Sequence, residues 1–380
     1  MIQIKKLGDC CGCEACANVC PRECIHMEAR DGFYYPVVES KLCVNCGLCE
    51  KICPENAPVM VRKDFEKKGI VARIKDDAAR YQSTSGGAAH ILTKRIVSDG
   101  GVAYGVAFDA QFGTVFTRVD QIENISALQG SKYPQCRIND GFLKVRRDLN
   151  DGKRVIVFGT PCQIQGLSCF LGKKYDDLIL VDLICHGVPS PIIWKNYLDE
   201  LFPQEQIQKV VFKHKKNGWK RWCVFIQSDC NTYTRERTED LYMSSYLSGL
   251  NVRPSCFSCH FKGDNRAADI TIADAWGTPE KNHILNDGKG LSSLIVHTRK
   301  GADLVKLVES EMIFETYSIE ALTSGNRAYD TCILPNVLRN RFFRELNRKD
   351  ILLVLQKYSL TTFCGKLSMK ITGLLHKRGK

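Results

Sequence analysis

Long apolar runs are absent from this sequence of 380 residues, and no stretch approaches the roughly 20 consecutive apolar residues that a membrane-spanning helix needs. No apolar segment follows the first six residues, M-I-Q-I-K-K, so we expect no secretory signal and a cytoplasmic location. Low-complexity tracts are also missing. With 44% hydrophobic and 25% charged residues, the composition excludes fibrous and largely disordered proteins.

Cysteine is the abundant residue, with 20 copies, of which ten lie in the first 53 residues. A reducing cytoplasm favours metal ligands over disulfides. Residues 10–21 and 43–54 each contain C-x2-C-x2-C-x3-C-P, which is typical of ferredoxins with two 4Fe–4S clusters, and whose fourth cysteine binds the other cluster. We therefore predict two ligand sets: cluster one on Cys10, Cys13, Cys16 and Cys53, and cluster two on Cys20, Cys43, Cys46 and Cys49.

Two features of this N-terminal head leave alternatives open. Zinc is the other candidate metal, because C-x2-C also suits zinc. Cys11 and Cys24 fall outside the repeated spacing, and we expect them to be packed thiols that bind no metal.

The rest of the chain predicts a mixed α/β, or α+β, fold, because strand-like and helix-like patterns alternate from residue 81 to 335. We interpret 1–62 as a ferredoxin-type domain and 63–335 as a larger domain, with parts at about 80–150 and 151–320. Residues 336–380 form a basic helical tail. The charged segment 55–80 is expected to be a connector.

Four further cysteines lie where chemistry is expected. Cys162 follows a short buried strand at the predicted start of a helix, Cys185 ends the next strand, and Cys256 and Cys259 form C-F-S-C. If these loops converge, the four thiolates suffice for a third 4Fe–4S cluster. On spacing alone, a nucleophilic Cys162 beside His186 or a redox pair in C-F-S-C explains them as well.

Several short motifs resemble the coenzyme F-420 hydrogenase/dehydrogenase beta-subunit family. They are S-T-S-G-G at 83–87, G-S-K-Y at 130–133, G-T-P-C-Q at 159–163, C-H-G at 185–187, C-F-S-C at 256–259 and A-D-I-T-I-A-D-A-W-G at 268–277. The resemblance implies FAD beside a 4Fe–4S cluster on Cys162, Cys185, Cys256 and Cys259. The fused ferredoxin head, which the hydrogenase subunit proper lacks, is a departure that resembles the family's stand-alone reductases.

The resemblance also implies flavin-binding residues, namely Ser85, Gly86, Gly87, Ser131, Lys132, Tyr133, Thr160 and Asp274. A glycine pair at a helix start suits a phosphate, and a lysine suits a reduced, anionic ring. The alternatives are an ordinary helix start, a solvated Lys132 beside a buried Tyr133, and a turn-capping Asp274. His186 is a candidate proton donor or a structural histidine.

The tail carries eleven basic and two acidic residues, which is +9 of the chain's net +12. Seven of its apolar residues fall on one helical stripe: Leu360, Phe363, Cys364, Leu367, Ile371, Leu374 and Leu375. A helix packed on its own domain, an anionic membrane surface at the inner face and a partner subunit are the open interpretations. Nucleic acid is not expected, because the charge is local.

These observations predict an iron–sulfur flavoprotein oxidoreductase with three 4Fe–4S clusters and FAD. It would take electrons from ferredoxin or another low-potential donor and reduce a small-molecule substrate, either the deazaflavin coenzyme or another reducible compound. The alternatives are a non-catalytic electron-transfer subunit of a larger hydrogenase/dehydrogenase complex and a structural iron–sulfur protein without turnover.

Overall fold

The structure, a computed structural model, describes residues 1–56, 65–277 and 285–378. Its helices are α1 Ala15–Val19, α2 Leu48–Lys51, α3 Asp77–Gln82, α4 Ala88–Ser98, α5 Gly141–Asn150, α6 Pro161–Leu171, α7 Pro191–Leu201, α8 Leu241–Leu247, α9 Arg299–Val308, α10 Ile319–Ser324, α11 Arg339–Leu346, α12 Ile351–Tyr358 and α13 Phe363–Arg378. Its strands are β1 Ile25–Arg30, β2 Phe33–Val38, β3 Lys68–Ile74, β4 Val102–Phe108, β5 Thr114–Val119, β6 Val155–Gly159, β7 Leu178–Leu183, β8 Ile207–His214, β9 Cys223–Ser228, β10 Thr232–Glu236, β11 Ile270–Asp274, β12 Ser292–Val296 and β13 Met312–Tyr317. The mixed α/β fold with a helical tail is confirmed.

The N-terminal head is built on one antiparallel hairpin, β1–β2, which separates the two cysteine runs. Each run includes a short helix, α1 in the first and α2 in the second, so that the first two cysteines of the repeated spacing lie on a loop, the third lies in the helix and the fourth follows the helix. The proposed domain boundary after residue 62 lies outside the described residues.

The large domain is organised by an eight-stranded sheet in the order β13-β3-β12-β11-β7-β6-β4-β5. Strands β11, β7, β6 and β4 are parallel neighbours, and antiparallel strands flank them on both sides. The central strands are buried on both faces, which explains their nearly continuous Val, Ile and Leu runs. Because β6 and β7 are adjacent and parallel, the loops that follow them emerge at the same sheet edge.

The predicted connector at 55–80 was wrong. It contains β3, which pairs with both β12 and β13 inside the sheet, and the helix α3. Residues 70–72 and 74 of β3 are buried, so this segment forms part of the core. The charged residues around the strand mask its short apolar centre in the sequence.

A second sheet, β10-β9-β8, packs with α7, α8 and α12 around aromatic side chains. Trp194, Phe212 and Tyr242 lie at its centre and are almost completely buried. Helix α12 contributes Leu355 and Tyr358 to the same cluster, so this part of the tail packs on its own domain. No described helix is long and apolar enough to cross a membrane.

Candidate functional site

The second cysteine run lines an outer cavity in the head. Cys20, Cys43, Cys46 and Cys49 all face this cavity, together with Cys24, whose sulfur lies 3.4 Å from that of Cys20. Cys46 is exposed to solvent, whereas Cys49 is buried. The four cysteines predicted for cluster two therefore surround one space that is open to the surface.

The first cysteine run lines an inner cavity. Its wall includes Cys10, Cys13, Cys16 and Cys53, the four residues predicted for cluster one. Gly12 in this loop has φ +73°, and a Cβ there would lie 2.6 Å from Gln135 Nε2 and 2.9 Å from Arg253 Cζ of the large domain. Glycine is therefore required where the loop presses against the body of the protein.

A third cavity lies in the large domain, and its lining includes four cysteines of that domain that come from three separate segments: Cys162, Cys185, Cys256 and Cys259. Cys162 is in the first turn of α6, where Pro161 occupies the first position and Thr160 with Gln163 forms a capping box. Cys185 follows β7, and Cys256 lies in a 3-10 helix at Pro254–Ser258. The convergence that the sequence left open is thus the arrangement in the structure.

Cationic side chains surround the third cavity. Lys262 lines it and donates hydrogen bonds of 2.7 Å to the carbonyls of Cys185 and Ala328. Arg266 also lines it and pairs at 3.0 Å with the buried carboxylate of Asp182. Its Nη2 is buried and has no hydrogen-bond partner among the described residues. Four thiols with two cations and a spare donor match a cofactor that carries negative charge. Among the described residues, no three His, Cys, Asp or Glu side chains are arranged to hold a single metal ion.

The inner and third cavities share a wall. Cys11 and Glu55 line both cavities, and the Cys11 thiol interacts with Cys13 on one side and with Cys162 on the other. Burial raises the pKa of the Glu55 carboxyl. Sequence spacing gave no reason to single out Cys11, yet it lies between the two cysteine sets.

His186 lines the third cavity beside Cys185. Burial, together with the charge of Lys262, lowers the pKa of His186 to about 4, so the imidazole is neutral near pH 7. Its ring meets that of Tyr246 edge-on, with 5.5 Å between centroids, and the Tyr246 ring lies 5.4 Å from that of Tyr133. A row of rings therefore leads from the third cavity to a residue expected at the flavin.

Tyr133 lies beside an ion pair between Lys213 and Asp274, whose Nζ and Oδ2 atoms are 2.5 Å apart. Burial disfavours the charged form of Lys213, but the interactions with Asp274 and Tyr133 together outweigh it, so that the pKa of Lys213 is raised. Asp274 also accepts a 3.3 Å hydrogen bond from Trp219 Nε1. The structure thus joins Tyr133 and Asp274, which are 141 positions apart, in one polar and aromatic neighbourhood.

The segment 83–87 lies at the edge of the same region. Ser85 Oγ is 2.9 Å from Ser292 Oγ, and Thr84 Oγ1 is 3.0 Å from Ser131 Oγ. A Cβ on Gly86 would lie 2.3 Å from the carbonyl oxygen of Ala72, so close packing on β3 already requires this glycine. The Gly86 amide donates to Ser292 and is not free for a phosphate.

Two other expected flavin residues have local partners. Lys132 Nζ donates to the carbonyls of Ala127 and Gln129 at 2.8 and 2.5 Å, and burial lowers the pKa of Lys132 to about 7. Thr160 caps α6 and its Oγ1 is 3.1 Å from the sulfur of Cys162. Thr160 is therefore a neighbour of the third cavity.

The sequence analysis missed Lys213, Lys215, Trp219 and Trp222. Lys215 Nζ donates to the carbonyls of Arg80 and Ser85 at 2.8 and 3.0 Å, and burial lowers the pKa of Lys215 to about 8. Trp219 stacks on Trp276 with 4.4 Å between ring centroids and 9° between the planes. The clustering of tryptophan was an available signal, since two of the chain's four lie within residues 219–222.

Comparisons with known proteins agree with this arrangement. The family model for the C-terminal part of the coenzyme F-420 hydrogenase/dehydrogenase beta subunit matches residues 152–321, and the 4Fe–4S dicluster domain matches residues 9–57. The chain is a fusion of these two modules. The matched ranges include the four cysteines predicted to bind the third cluster and the eight predicted to bind the two clusters of the head.

Relatives of both parts of the fusion are known. One of the subunits of the F-420H2 dehydrogenase from Methanosarcina mazei is 25% identical over 329 residues, which cover 80% of this chain and 83% of that protein. The "Ferredoxin 7Fe" of Hydrogenibacillus schlegelii is 35% identical over 65 residues, 16% of this chain and 76% of the ferredoxin. A polypeptide in the F-420-reducing [NiFe] hydrogenase complex from Methanosarcina barkeri has a TM-score of 0.47 and 17% identity, with 80% of this chain and 97% of that polypeptide covered. The fusion is an iron–sulfur protein related to a subunit of a dehydrogenase.

Proposed function

We propose that this fusion is an iron–sulfur flavoprotein oxidoreductase that carries electrons from a ferredoxin-like donor, through three 4Fe–4S clusters, to FAD and a small-molecule substrate. When bound, FAD exchanges single electrons with iron–sulfur centres and a hydride with the substrate. The observation that carries the proposal is the wall of Cys11 and Glu55 between the inner cavity of the head and the third cavity.

The repeated cysteine spacing and the cavity linings together support the proposed ligand sets of the head. Cys20, Cys43, Cys46 and Cys49 hold the cluster in the outer cavity, and Cys10, Cys13, Cys16 and Cys53 hold the one in the inner cavity. Residues 1–62 would then act as the domain that receives electrons. The exposure of Cys46 supports the outer cavity as the point closest to an external donor.

Cys162, Cys185, Cys256 and Cys259 hold the third cluster. A 4Fe–4S cube with four thiolates is anionic, and Lys262 and Arg266 supply compensating charge in a largely buried setting. The spare Nη2 of Arg266 offers a hydrogen bond to a cluster sulfur. This donor set favours a cluster over a nucleophilic Cys162, because four thiols converge where a nucleophile needs only one.

The flavin lies on the Tyr133 side of the row of rings. Lys213 and Lys215 supply positive charge, and Trp219, Trp222 and Trp276 supply apolar ring faces. This combination fits a planar cofactor that carries phosphates and becomes anionic on reduction. Tyr133 and the buried Tyr246 lie between that region and His186.

The alternative to a catalytic function is that of a non-catalytic electron-transfer subunit in a larger complex. The name of one relative favours it, because that protein is a dehydrogenase subunit. The fused head favours independent turnover, since the chain would bring its own electron-receiving module. The substrate is then a deazaflavin coenzyme or another reducible compound.

The test uses the full-length protein, reconstituted anaerobically with iron, sulfide and FAD. Reduced ferredoxin is added, and flavin absorbance is followed with and without an oxidised deazaflavin coenzyme. Bleaching of the flavin, followed by recovery when the coenzyme is present, supports a catalytic protein. Bleaching without recovery with any acceptor supports the subunit role. Failure to retain FAD after gentle purification and FAD addition contradicts the flavoprotein assignment.

A further inference from the structure

The last helix, α13, packs on the protein with its small residues inward. Gly365, Ser368 and Thr372 are buried. Asn336 Nδ2 donates to Ser368 Oγ at 3.1 Å, and the Val337 amide donates to Thr372 Oγ1 at 3.2 Å. Polar hydrogen bonds and close approach therefore fix this helix in place, rather than burial of large apolar side chains.

The large apolar side chains of α13 point to solvent. Phe363 is 82% exposed, and its neighbours on the same face are 39–55% exposed, namely Leu367, Ile371, Leu374 and Leu375. Positions 363, 367, 371, 374 and 375 share one face of an α-helix, so they form a continuous stripe. The helix of an ordinary soluble domain would bury this stripe, whereas here it faces outward. Leu360, which the sequence assigned to the same stripe, precedes the helix.

The charge beside this stripe is of one sign. Lys366 and Lys370 are exposed and lie one turn apart along its edge. The sequence contains no Asp or Glu after Asp350, and residues 336–380 supply +9 of the net +12. The outward face of α13 thus combines an apolar stripe with exposed positive charge.

We propose that α13 is an interfacial membrane anchor, which lies parallel to an anionic lipid surface with its apolar stripe between the lipid headgroups and acyl chains. The lysines would meet anionic headgroups, as in other amphipathic helices that bind membranes without crossing them. A lipid surface fits better than a protein groove, because the exposed stripe is convex, mostly Leu and Ile, and flanked by lysine, whereas protein hot spots favour Trp, Tyr and Arg. The assignment does not depend on the proposed redox function.

The experiment is flotation of the full-length, cofactor-loaded protein with vesicles of phosphatidylcholine alone or with about one third phosphatidylglycerol. We expect binding to the anionic vesicles that is at least about tenfold stronger than to the neutral ones and that weakens with salt. The double variant Leu367→Ser/Leu374→Ser should lose most of this binding. Leu353→Ser, which changes a 65% exposed leucine on α12, is the matched control and should bind as the wild type does.

Several outcomes would overturn the anchor. They are no binding to anionic vesicles, equal binding to neutral and anionic vesicles, and full binding by the double variant. A dimer that forms with rising concentration, is lost in the double variant and shows no vesicle binding would assign the stripe to a second copy of the chain. Unchanged iron and flavin content and an unchanged circular dichroism spectrum show that the variants are folded.

Discussion

Arg253 of the large domain donates a hydrogen bond of 2.9 Å from Nε to the backbone carbonyl of Cys10, in the loop around the inner cavity of the head. Its Nη2 is 3.5 Å from the Cys10 sulfur, and its guanidinium lies over the ring of Tyr35 with 4.1 Å to the centroid. Arg253 is completely buried. This cation therefore helps to fix the head on the body, and it lies against a proposed cluster ligand.

The first prediction concerns this arginine. Arg253→Gln removes a buried positive charge next to Cys10, so the reduction potential of the inner cluster should fall by tens of millivolts, because charge gained on reduction is less well stabilised. The lost hydrogen bonds should also lower the free energy of unfolding by about 3 kcal/mol. Redox titration followed by electron paramagnetic resonance measures the first effect, and chemical unfolding measures the second.

The control for this prediction is Arg341→Gln, which changes an exposed arginine paired with Glu345 on α11. It should leave the cluster potentials unchanged and cost less than about 1 kcal/mol. A potential in Arg253→Gln equal to that of the wild type would show that this residue only holds the two domains together.

The second prediction concerns the third cavity. Cys162→Ser should reduce the iron content by about four per chain and leave the head clusters and FAD in place, because serine is a poor ligand for iron–sulfur clusters. Reduced ferredoxin should then no longer bleach the flavin, although dithionite still should. Cys169→Ser, in the same helix but outside the cavity, is the control and should keep all its iron. Full iron content in Cys162→Ser would remove this residue from the ligand set.

The third prediction concerns the shared wall. Cys11→Ala should keep the full iron content, because Cys11 lies outside both ligand sets, but it removes the sulfur that interacts with Cys13 and Cys162. Flavin reduction by ferredoxin should slow severalfold at unchanged potentials. Stopped-flow absorbance measures the rate. Cys24→Ala, which changes the other extra thiol of the head, lies at the outer cavity and should not slow this step. Equal rates in the two variants would contradict a role for the wall.

The fourth prediction concerns the flavin region. Lys213→Met leaves Asp274 without its cation and removes a positive charge beside Tyr133, so FAD affinity should fall at least about tenfold. Fluorescence titration of the flavin-free protein with FAD measures the affinity. Lys209→Met, on the exposed side of the same strand β8, should bind FAD normally. If both variants bind FAD equally, the cofactor lies elsewhere.

Residue spacing in the sequence was sufficient to predict the cysteine-rich head and several strands of the parallel sheet. The repeated run C-x2-C-x2-C-x3-C-P specifies a dicluster domain by itself, because ligand spacing and loop geometry are local properties. Buried strands such as β6 and β7 and the helix α6 were also recognisable, since each has a continuous apolar run or a Pro at the helix start.

The features that could not be predicted from the sequence depend on contacts between segments that are far apart in the chain. The charged residues on either side of β3 favour a connector in the sequence, although the segment is a strand of the large sheet. The β8–β10 sheet is not predicted from the sequence either. Cys11 and Lys213 gain their importance only when distant segments meet, Cys11 against Cys162 and Lys213 against Asp274. Conversely, Gly86 favours a phosphate site in the sequence, but its close packing on β3 already explains why a glycine is needed at this position.

In the proposed function, a redox cluster between the head and the flavin occupies the third cavity. The most direct measurement is the content of iron, acid-labile sulfide and flavin in the wild-type protein after anaerobic reconstitution. With three 4Fe–4S clusters and one flavin, we expect about twelve irons, about twelve sulfides and one FAD per chain. A content of about eight irons per chain, in a protein whose bound FAD is still reduced rapidly by ferredoxin, would contradict the presence of a cluster in the third cavity.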